Sequence, residues 1–160
     1  MTRTVALALA AMGLVLGTAQ ARADDPALAL ARKLTDAGAA TFNNLNAKTM
    51  AAYYTEDAKL TVESREGEQV TLKEHVGHDE IEQFYYDLFE NREPGTIVSR
   101  NHVEYARLLA DDVLVIAGVF EPNTRDEKSL KVPFYQVRVK HGDKWLITSM
   151  RIFIVGKPES

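Results

Sequence analysis

The sequence contains no cysteine. Disulfide bonds, thiolate catalysis, thiolate metal sites and a lipidated cysteine are therefore all excluded, and the fold has to obtain its stability from a hydrophobic core. The sequence also lacks a glycine-rich phosphate loop and the G-x-S-x-G turn that presents a catalytic serine. We therefore expect neither a nucleotide site built on a phosphate loop nor a serine hydrolase built on that turn.

Basic residues are too few and too scattered for a nucleic-acid-binding surface. The chain has 19 Lys and Arg against 23 Asp and Glu, a net charge of −4. No cluster of Lys and Arg provides the positive patch that binding to phosphates requires. We expect no nucleic-acid partner.

The sequence has one long apolar run, from Val5 to Gly17, and it follows Arg3 near the N-terminus. The alternative to a leader is a membrane anchor, but a spanning helix needs about 20 apolar residues and this run is shorter. It ends in Ala19-Gln20-Ala21 and Ala21-Arg22-Ala23, which both have the small-x-small pattern of a signal peptidase site.

We therefore predict a signal peptide over residues 1–23 and a single domain over residues 24–160. The domain is expected to be exported, periplasmic or secreted, with no stable membrane anchor after cleavage. Loss of Arg3 and Arg22 with the leader lowers the basic count from 19 to 17 against 23 acidic residues, a net charge of −6.

The first half of this domain has mainly helical patterns. Asp25-Pro26 is a favourable helix start, and apolar or small residues then recur every three or four positions as far as Leu45. A short helix fits "AKTMAAYY". The clearest helix is "GHDEIEQFYYDLFEN", which His78 or Asp79 is expected to cap.

The remaining patterns indicate strands. "AKLTVES" alternates apolar and polar residues, and "QVTL" is placed to pair back across "REGE". After Thr96, four strand-like runs joined by short turns predict an antiparallel meander. This order predicts an α+β fold with the helices gathered on one face of a curved antiparallel sheet.

Four segments carry a resemblance to a known family: "AAYYTEDAKLTV", "GHDEIEQFYYDLF", "LLADDVLVIAG" and "VPFYQVRVKHGDKWLITSMR". The chain resembles the NTF2-like superfamily, nearest its SnoaL-like branch, and is similar to the association domain of calmodulin-dependent kinase. The resemblance implies a cone whose concave face, covered by the N-terminal helices, encloses a largely apolar pocket. Members include ketosteroid isomerases, polyketide cyclases, dehydratases and non-catalytic binding or dimerisation domains, so the fold leaves the function open.

A steroid-isomerase-like enzyme needs a carboxylate base at the pocket end of the first strand. Alignment with that family puts Val62 at this position, so Glu63 is expected to point outward. A one-residue bulge would reverse the alternation and make Glu63 a candidate base. His102, opposite Val103 on its strand, is the other candidate and is likewise expected to face solvent or a partner subunit.

The last strand suggests a ligand-binding arginine. In the SnoaL-like branch this strand usually ends in inward histidines, and Arg151 takes such a position. By the alternation of a strand, Ser149 and Arg151 share a face with Trp145 and Ile147, which predicts that both lie in the pocket. There Arg151 would hold a carboxylate, carbonyl or enolate of a ligand. The alternatives are an internal ion pair or an arginine at the rim.

Further pocket contacts are expected from Tyr135, Tyr105, Asn101 and Tyr54. Tyr135 alternates with Val137 and Val139, while Tyr105 and Asn101 lie on the Val103 face. Tyr54 is placed at the pocket mouth, at the end of the short helix. The alternative for each phenol is a core position with a satisfied hydroxyl.

No metal or cofactor is expected, because the histidines at His75 and His78 lack a third ligand at suitable spacing. Three functions remain. The preferred one is binding of a small apolar or amphipathic molecule. The second is an isomerase, cyclase or dehydratase acting on a carbonyl compound. The third is a dimerisation module, with a homodimer formed through Arg100, His102 and Glu104, which sedimentation at micromolar concentration would detect.

Overall fold

The computed structural model describes residues 25–124 and 130–155. In chain order its elements are α1 (Pro26–Asn43), α2 (Ala47–Ala51), β1 (Tyr54–Glu66), β2 (Gln69–Val76), α3 (Gly77–Phe89), β3 (Ile97–Ala110), β4 (Val113–Thr124), β5 (Val132–His141) and β6 (Lys144–Val155). The predicted signal peptide lies outside the described residues. Within them, no helix combines the length and the apolar character needed to cross a bilayer.

The six strands form one curved, unclosed sheet in the order β2-β1-β6-β5-β4-β3. Neighbouring strands are antiparallel except β1 and β6, which pair in parallel. The four C-terminal strands form the predicted meander because only short turns separate β3 from β4 and β5 from β6. The predicted α+β fold, with helices against the concave face, is confirmed.

Helix α1 is fixed at both ends. The Asp25 carboxylate accepts a hydrogen bond from the backbone N–H of Ala27 at 2.9 Å, so it caps the helix start as the sequence predicts. Near the other end, the Asn43 side-chain oxygen accepts bonds from the Ser99 hydroxyl at 2.7 Å and from its backbone N–H at 2.9 Å. These bonds tie α1 to the edge strand β3 and hold the helix over the sheet.

Helix α3 buries Ile81, Tyr85 and Phe89, three residues of the predicted apolar stripe. Its start differs from the prediction. Val76 is the N-cap residue, and its backbone N–H donates to the Glu80 carboxylate at 2.7 Å. The His78 ring lies 2.7 Å from the Tyr54 carbonyl oxygen and links α3 to β1.

Two of the bulges in the sheet, one on β3 and one on β6, determine which side chains of these strands face the helices. On β3, Val103 pairs with Gly118 and Tyr105 with Ala117, so Glu104 is an extra residue. On β6, Ser149 pairs with Val137 but Ile147 pairs with Arg138, so Thr148 is extra. An extra residue reverses the alternation of side chains beyond it.

Candidate functional site

A cavity of about 210 Å³ lies between the concave face of the sheet and the three helices. Most of its wall is apolar; the large apolar side chains include Phe42, Leu60, Phe84, Leu88, Phe120, Val132, Phe134, Ile147 and Ile152. Leu130 and Ile154 also line it and are partly exposed, so they mark its open side. Because an apolar cavity of roughly 150 Å³ holds the six carbon atoms of benzene, this one has room for roughly eight or nine non-hydrogen atoms.

Arg138 is a cation in this wall, and only 2% of its surface is exposed. Its Nε donates to the Gln136 side-chain oxygen at 3.0 Å, and its Nη1 donates to the Trp145 carbonyl oxygen at 3.4 Å. Among the described residues, no carboxylate lies within ion-pairing distance of it. Burial lowers the pKa of Arg138 to about 10, so the guanidinium stays charged at neutral pH.

Two phenols share the polar part of the wall with Arg138. The hydroxyls of Tyr54 and Tyr85 are 2.8 Å apart, and Tyr54 also donates to the Met150 sulfur at 3.1 Å. Burial raises the pKa of Tyr54 well above its ordinary value and that of Tyr85 to about 12, so both are neutral hydrogen-bonding groups. Tyr54 opens β1 and is buried, rather than standing at the mouth on the short helix as predicted.

Asn101 lies in the wall on the predicted face of β3. Its side-chain nitrogen donates to the Thr35 carbonyl oxygen at 2.9 Å, so this amide joins β3 to α1. The Tyr53 hydroxyl lies 3.0 Å from the Thr41 hydroxyl, again between elements of the wall. Contact of Asn101 or Tyr54 with a ligand stays a prediction.

The part of the wall that the structure describes contains no aspartate, glutamate or histidine. It therefore offers hydrogen-bond donors and the positive charges of Arg138 and Arg92, but none of the usual side chains for general-base catalysis at neutral pH. In residues 25–124 and 130–155 there is also no group of three His, Asp or Glu side chains arranged to hold a metal ion.

The predicted inward position of Arg151 is wrong. Its side chain is 45% exposed on the convex face of the sheet, where Nη2 donates to the Glu63 carboxylate at 2.7 Å. The guanidinium also lies 5.6 Å from the centre of the Phe153 ring. The bulge at Thr148 is the cause, because Ile147 faces the cavity while Ser149 and Arg151 beyond the bulge face outward.

Glu63 points outward, as the alternation of β1 predicts, yet it is only 5% exposed. Arg65 donates to one carboxylate oxygen at 2.9 Å, and Arg151 donates to the other. The hydrogen bond from Arg65, together with Arg151, lowers the pKa of Glu63. Glu63 is therefore an ionised group held by two arginines outside the cavity, and it is not placed to act as a base inside it.

Tyr135 and Tyr105 are also on the convex face, 41% and 45% exposed, so their predicted pocket positions are wrong. For Tyr105, the bulge at Glu104 reverses the alternation that starts at Val103. For Tyr135 there is no bulge on β5, where the even-numbered residues from Val132 to Arg138 all line the cavity.

The register places several of the predicted site residues in one row across the convex face. The row runs Tyr105, Ala117, Tyr135, Arg151, Thr61. His102 is exposed, as predicted, and lies 3.3 Å from the Glu121 carboxylate. The sequence thus identified a real group of neighbours but assigned most of them to the wrong face.

Sequence reasoning missed Arg138, Gln136 and Tyr85. On β5 the outward residues Tyr135, Val137 and Val139 look more core-like than the inward pair Gln136 and Arg138, so apolar character indicated the wrong face. Gly118 was an available signal for the β3 bulge, since a glycine inside a strand often marks a bulge or a close backbone approach. No such signal accompanies the bulge at Thr148.

No protein-family model matches the sequence, and no curated protein sequence does. Solved structures do match. An NTF-2 like protein of unknown function from Shewanella oneidensis MR-1 is 15% identical with a TM-score of 0.60, covering 76% of this chain and 93% of its own. A ketosteroid isomerase-like protein from Erwinia carotovora atroseptica SCRI1043 is 15% identical with a TM-score of 0.58, covering 81% and 96%.

A further match is a putative calcium/calmodulin dependent protein kinase II association domain from Xanthomonas campestris. It is 21% identical with a TM-score of 0.56 and covers 78% of this chain and 85% of its own. At these identities the similarity concerns the fold. The chain has the NTF2-like fold that the sequence motifs predicted, a fold found in ligand-binding and isomerase-type domains.

Proposed function

We propose that this protein is an exported binding protein that holds one small apolar or amphipathic molecule in the cavity of its cone. The observation that carries the proposal is a mainly apolar cavity with a few hydrogen-bonding groups at one place in its wall. That composition is the usual one for small-molecule sites, where apolar contact gives affinity and a few polar groups fix orientation. Here the polar groups are the side chains of Arg138, Gln136, Tyr54 and Tyr85.

An isomerase, cyclase or dehydratase acting on a carbonyl compound is the alternative. Such an enzyme needs a side chain that removes a proton from its substrate. The described wall provides no carboxylate or imidazole, and the candidate bases Glu63 and His102 lie on the convex face. This placement favours binding without chemistry.

Gly38 offers a direct way to block the cavity. It lines the cavity from α1, and a Cβ atom added there meets nothing within 4 Å. Leucine forms helices better than glycine, so Gly38→Leu should keep α1 folded while its side chain occupies the ligand space. We expect saturable binding of indole, a neutral probe of suitable size, to weaken by about tenfold or more in a ligand-observed NMR titration.

Ala40→Leu is the matched control, because Ala40 lies on the same helix but is exposed and absent from the wall. It should bind indole as the wild type does. If Gly38→Leu folds and binds indole undiminished, the ligand site is elsewhere and the proposal fails.

Export is part of the proposal and rests on the leader-like residues 1–23. The protein recovered from the periplasm or medium should have the intact mass of the chain Asp24–Ser160. Recovery of the full-length chain from the cytoplasm alone would contradict export while leaving the cavity proposal standing. The homodimer stays a prediction.

A further inference from the structure

We propose that the molecule bound in the cavity is a small monocarboxylate, with its carboxylate on Arg138 and a short apolar tail directed toward Leu130 and Ile154. This inference rests on the proposed function, because it specifies the chemical class of ligand for the same cavity. It starts from Arg138, whose guanidinium has no carboxylate partner among residues 25–124 and 130–155.

A buried cation is normally paired, because removing an unpaired charge from water is costly. The buried carboxylate of Glu63 is paired in this way, because Arg65 and Arg151 both donate hydrogen bonds to it on the convex face. Arg138 is more deeply buried than either of those arginines, yet within the described residues it contacts only neutral oxygens. A ligand with one negative charge would supply the counter-charge that the described part of the wall does not provide.

A guanidinium presents its N–H groups in a planar fork that matches the two oxygens of a carboxylate. Nε and Nη1 are partly used by Gln136 and Trp145, but Nη2 donates no hydrogen bond to any described residue. Nη2 and the remaining hydrogen of Nη1 are therefore free to bind a carboxylate. The Gln136 and Trp145 contacts keep the fork oriented.

The rest of the cavity wall favours a ligand with a single negative charge. Arg138 is the deeply buried cation of the described wall, since the other arginine there, Arg92, follows α3 and is half-buried. Tyr54 and Tyr85 are neutral, so they neither repel an anion nor balance one. A dianion such as phosphate would leave an uncompensated charge in an apolar cavity, which disfavours it. The apolar surface on the way to the opening accommodates a hydrocarbon tail.

Matched pairs of carboxylate and amide test the inference. Hexanoate, octanoate and phenylacetate, each paired with its primary amide, differ within a pair only in charge and in one hydrogen-bonding group. For the wild-type protein, calorimetric titration should show at least one carboxylate binding about 30-fold more tightly than its amide. Because the site is buried, that preference should survive at about 0.5 M salt, whereas binding to surface arginines would not.

Two variants distinguish binding to Arg138 in the cavity wall from binding to Arg151 on the convex face. Arg138→Met should reduce the preference to about threefold or less, with amide binding largely retained, because the cavity keeps its apolar wall. Arg151→Met should keep the full preference, since Arg151 lies on the convex face.

The titrations distinguish failure of the carboxylate inference from failure of the proposed function. If carboxylates and amides bind the wild type equally, the carboxylate inference is overturned while the proposed binding function stands. The inference is likewise overturned if the preference survives Arg138→Met or disappears in Arg151→Met. If neither member of any pair binds, and indole does not bind either, both the inference and the proposed function are wrong.

Discussion

Replacing Gly118 with alanine is expected to lower the free energy of unfolding by about 3 kcal/mol and the melting temperature by roughly 10 °C. Gly118 lies in the middle of β4, opposite the bulge at Glu104. A Cβ atom on it would lie 2.2 Å from the His102 carbonyl oxygen and 3.1 Å from the Val103 Cα atom. Both are backbone atoms, so β3 itself would have to move. Thermal and urea unfolding followed by circular dichroism measure the loss.

Gly38→Ala is the matched control, since the same change of side chain at Gly38 meets no atom within 4 Å. That position is in a helix, where alanine is more favourable, and we expect a gain of about 0.5–1 kcal/mol. If Gly118→Ala is as stable as the wild type, β3 and β4 do not approach each other as described. The bulge that turns Tyr105 outward would then be in question.

Replacing Arg138 with methionine is expected to stabilise the empty protein by about 1–2 kcal/mol, a rise of roughly 5 °C in melting temperature. Burial lowers the pKa of this arginine from 12.5 to about 10, which corresponds to a cost of about 3 kcal/mol for the charged form in the fold. Loss of its hydrogen bonds to Gln136 and Trp145 offsets part of the gain, at about 0.5–1 kcal/mol each.

The pH dependence follows from the direction of the shift. A base whose pKa is lower in the folded state destabilises the fold at every pH at which it is charged in both states. With a folded pKa of about 10, that range includes all pH values up to about 9. The gain from Arg138→Met should therefore be the same at pH 6 and pH 8. The control Arg107→Met, at an exposed position, should change stability by less than about 0.5 kcal/mol.

A loss of stability in Arg138→Met would show that the guanidinium holds the core together and is retained for that reason. A gain would show the opposite. The chain would then carry a charge that weakens its fold, which is the pattern expected where a residue is kept for binding.

The elements of this fold follow closely from local patterns in the sequence. The Asp25-Pro26 start, the stripe ending at Phe89 and the turns of the meander depend on interactions between near neighbours in the chain. Such signals are readable without knowledge of the tertiary structure. The order of the elements then limits the possible architecture, and the NTF2-like motifs identify it.

The residues that line the site, in contrast, cannot be identified from such local patterns. Which side chains enter the cavity is decided by the extra residues Glu104 and Thr148, and one extra residue reverses every position beyond it. Thr148 has no glycine or proline beside it to indicate a bulge. The chemistry expected of the site, an arginine facing a ligand anion, was therefore assigned to Arg151 on β6, whereas Arg138 on β5 occupies the wall.

The wrong inward position predicted for Tyr135 on β5 has a separate cause. Pattern reasoning places apolar residues inward and charged residues outward, because that is the rule for cores. A binding cavity reverses the rule locally, since its polar groups serve the ligand rather than the fold. Under the proposed binding function, Gln136 and Arg138 face inward for that reason, while Tyr135 faces outward beside Arg151.

The most direct measurement of the central claim is a crystal structure of the protein with the tightest-binding carboxylate of the three probes. We expect electron density for the probe in the cavity, with a carboxylate oxygen about 3 Å from Nη2 of Arg138 and the tail extending toward Ile154. Probe density beside Arg151 or Arg65 on the convex face, with the cavity filled by solvent alone, would contradict it.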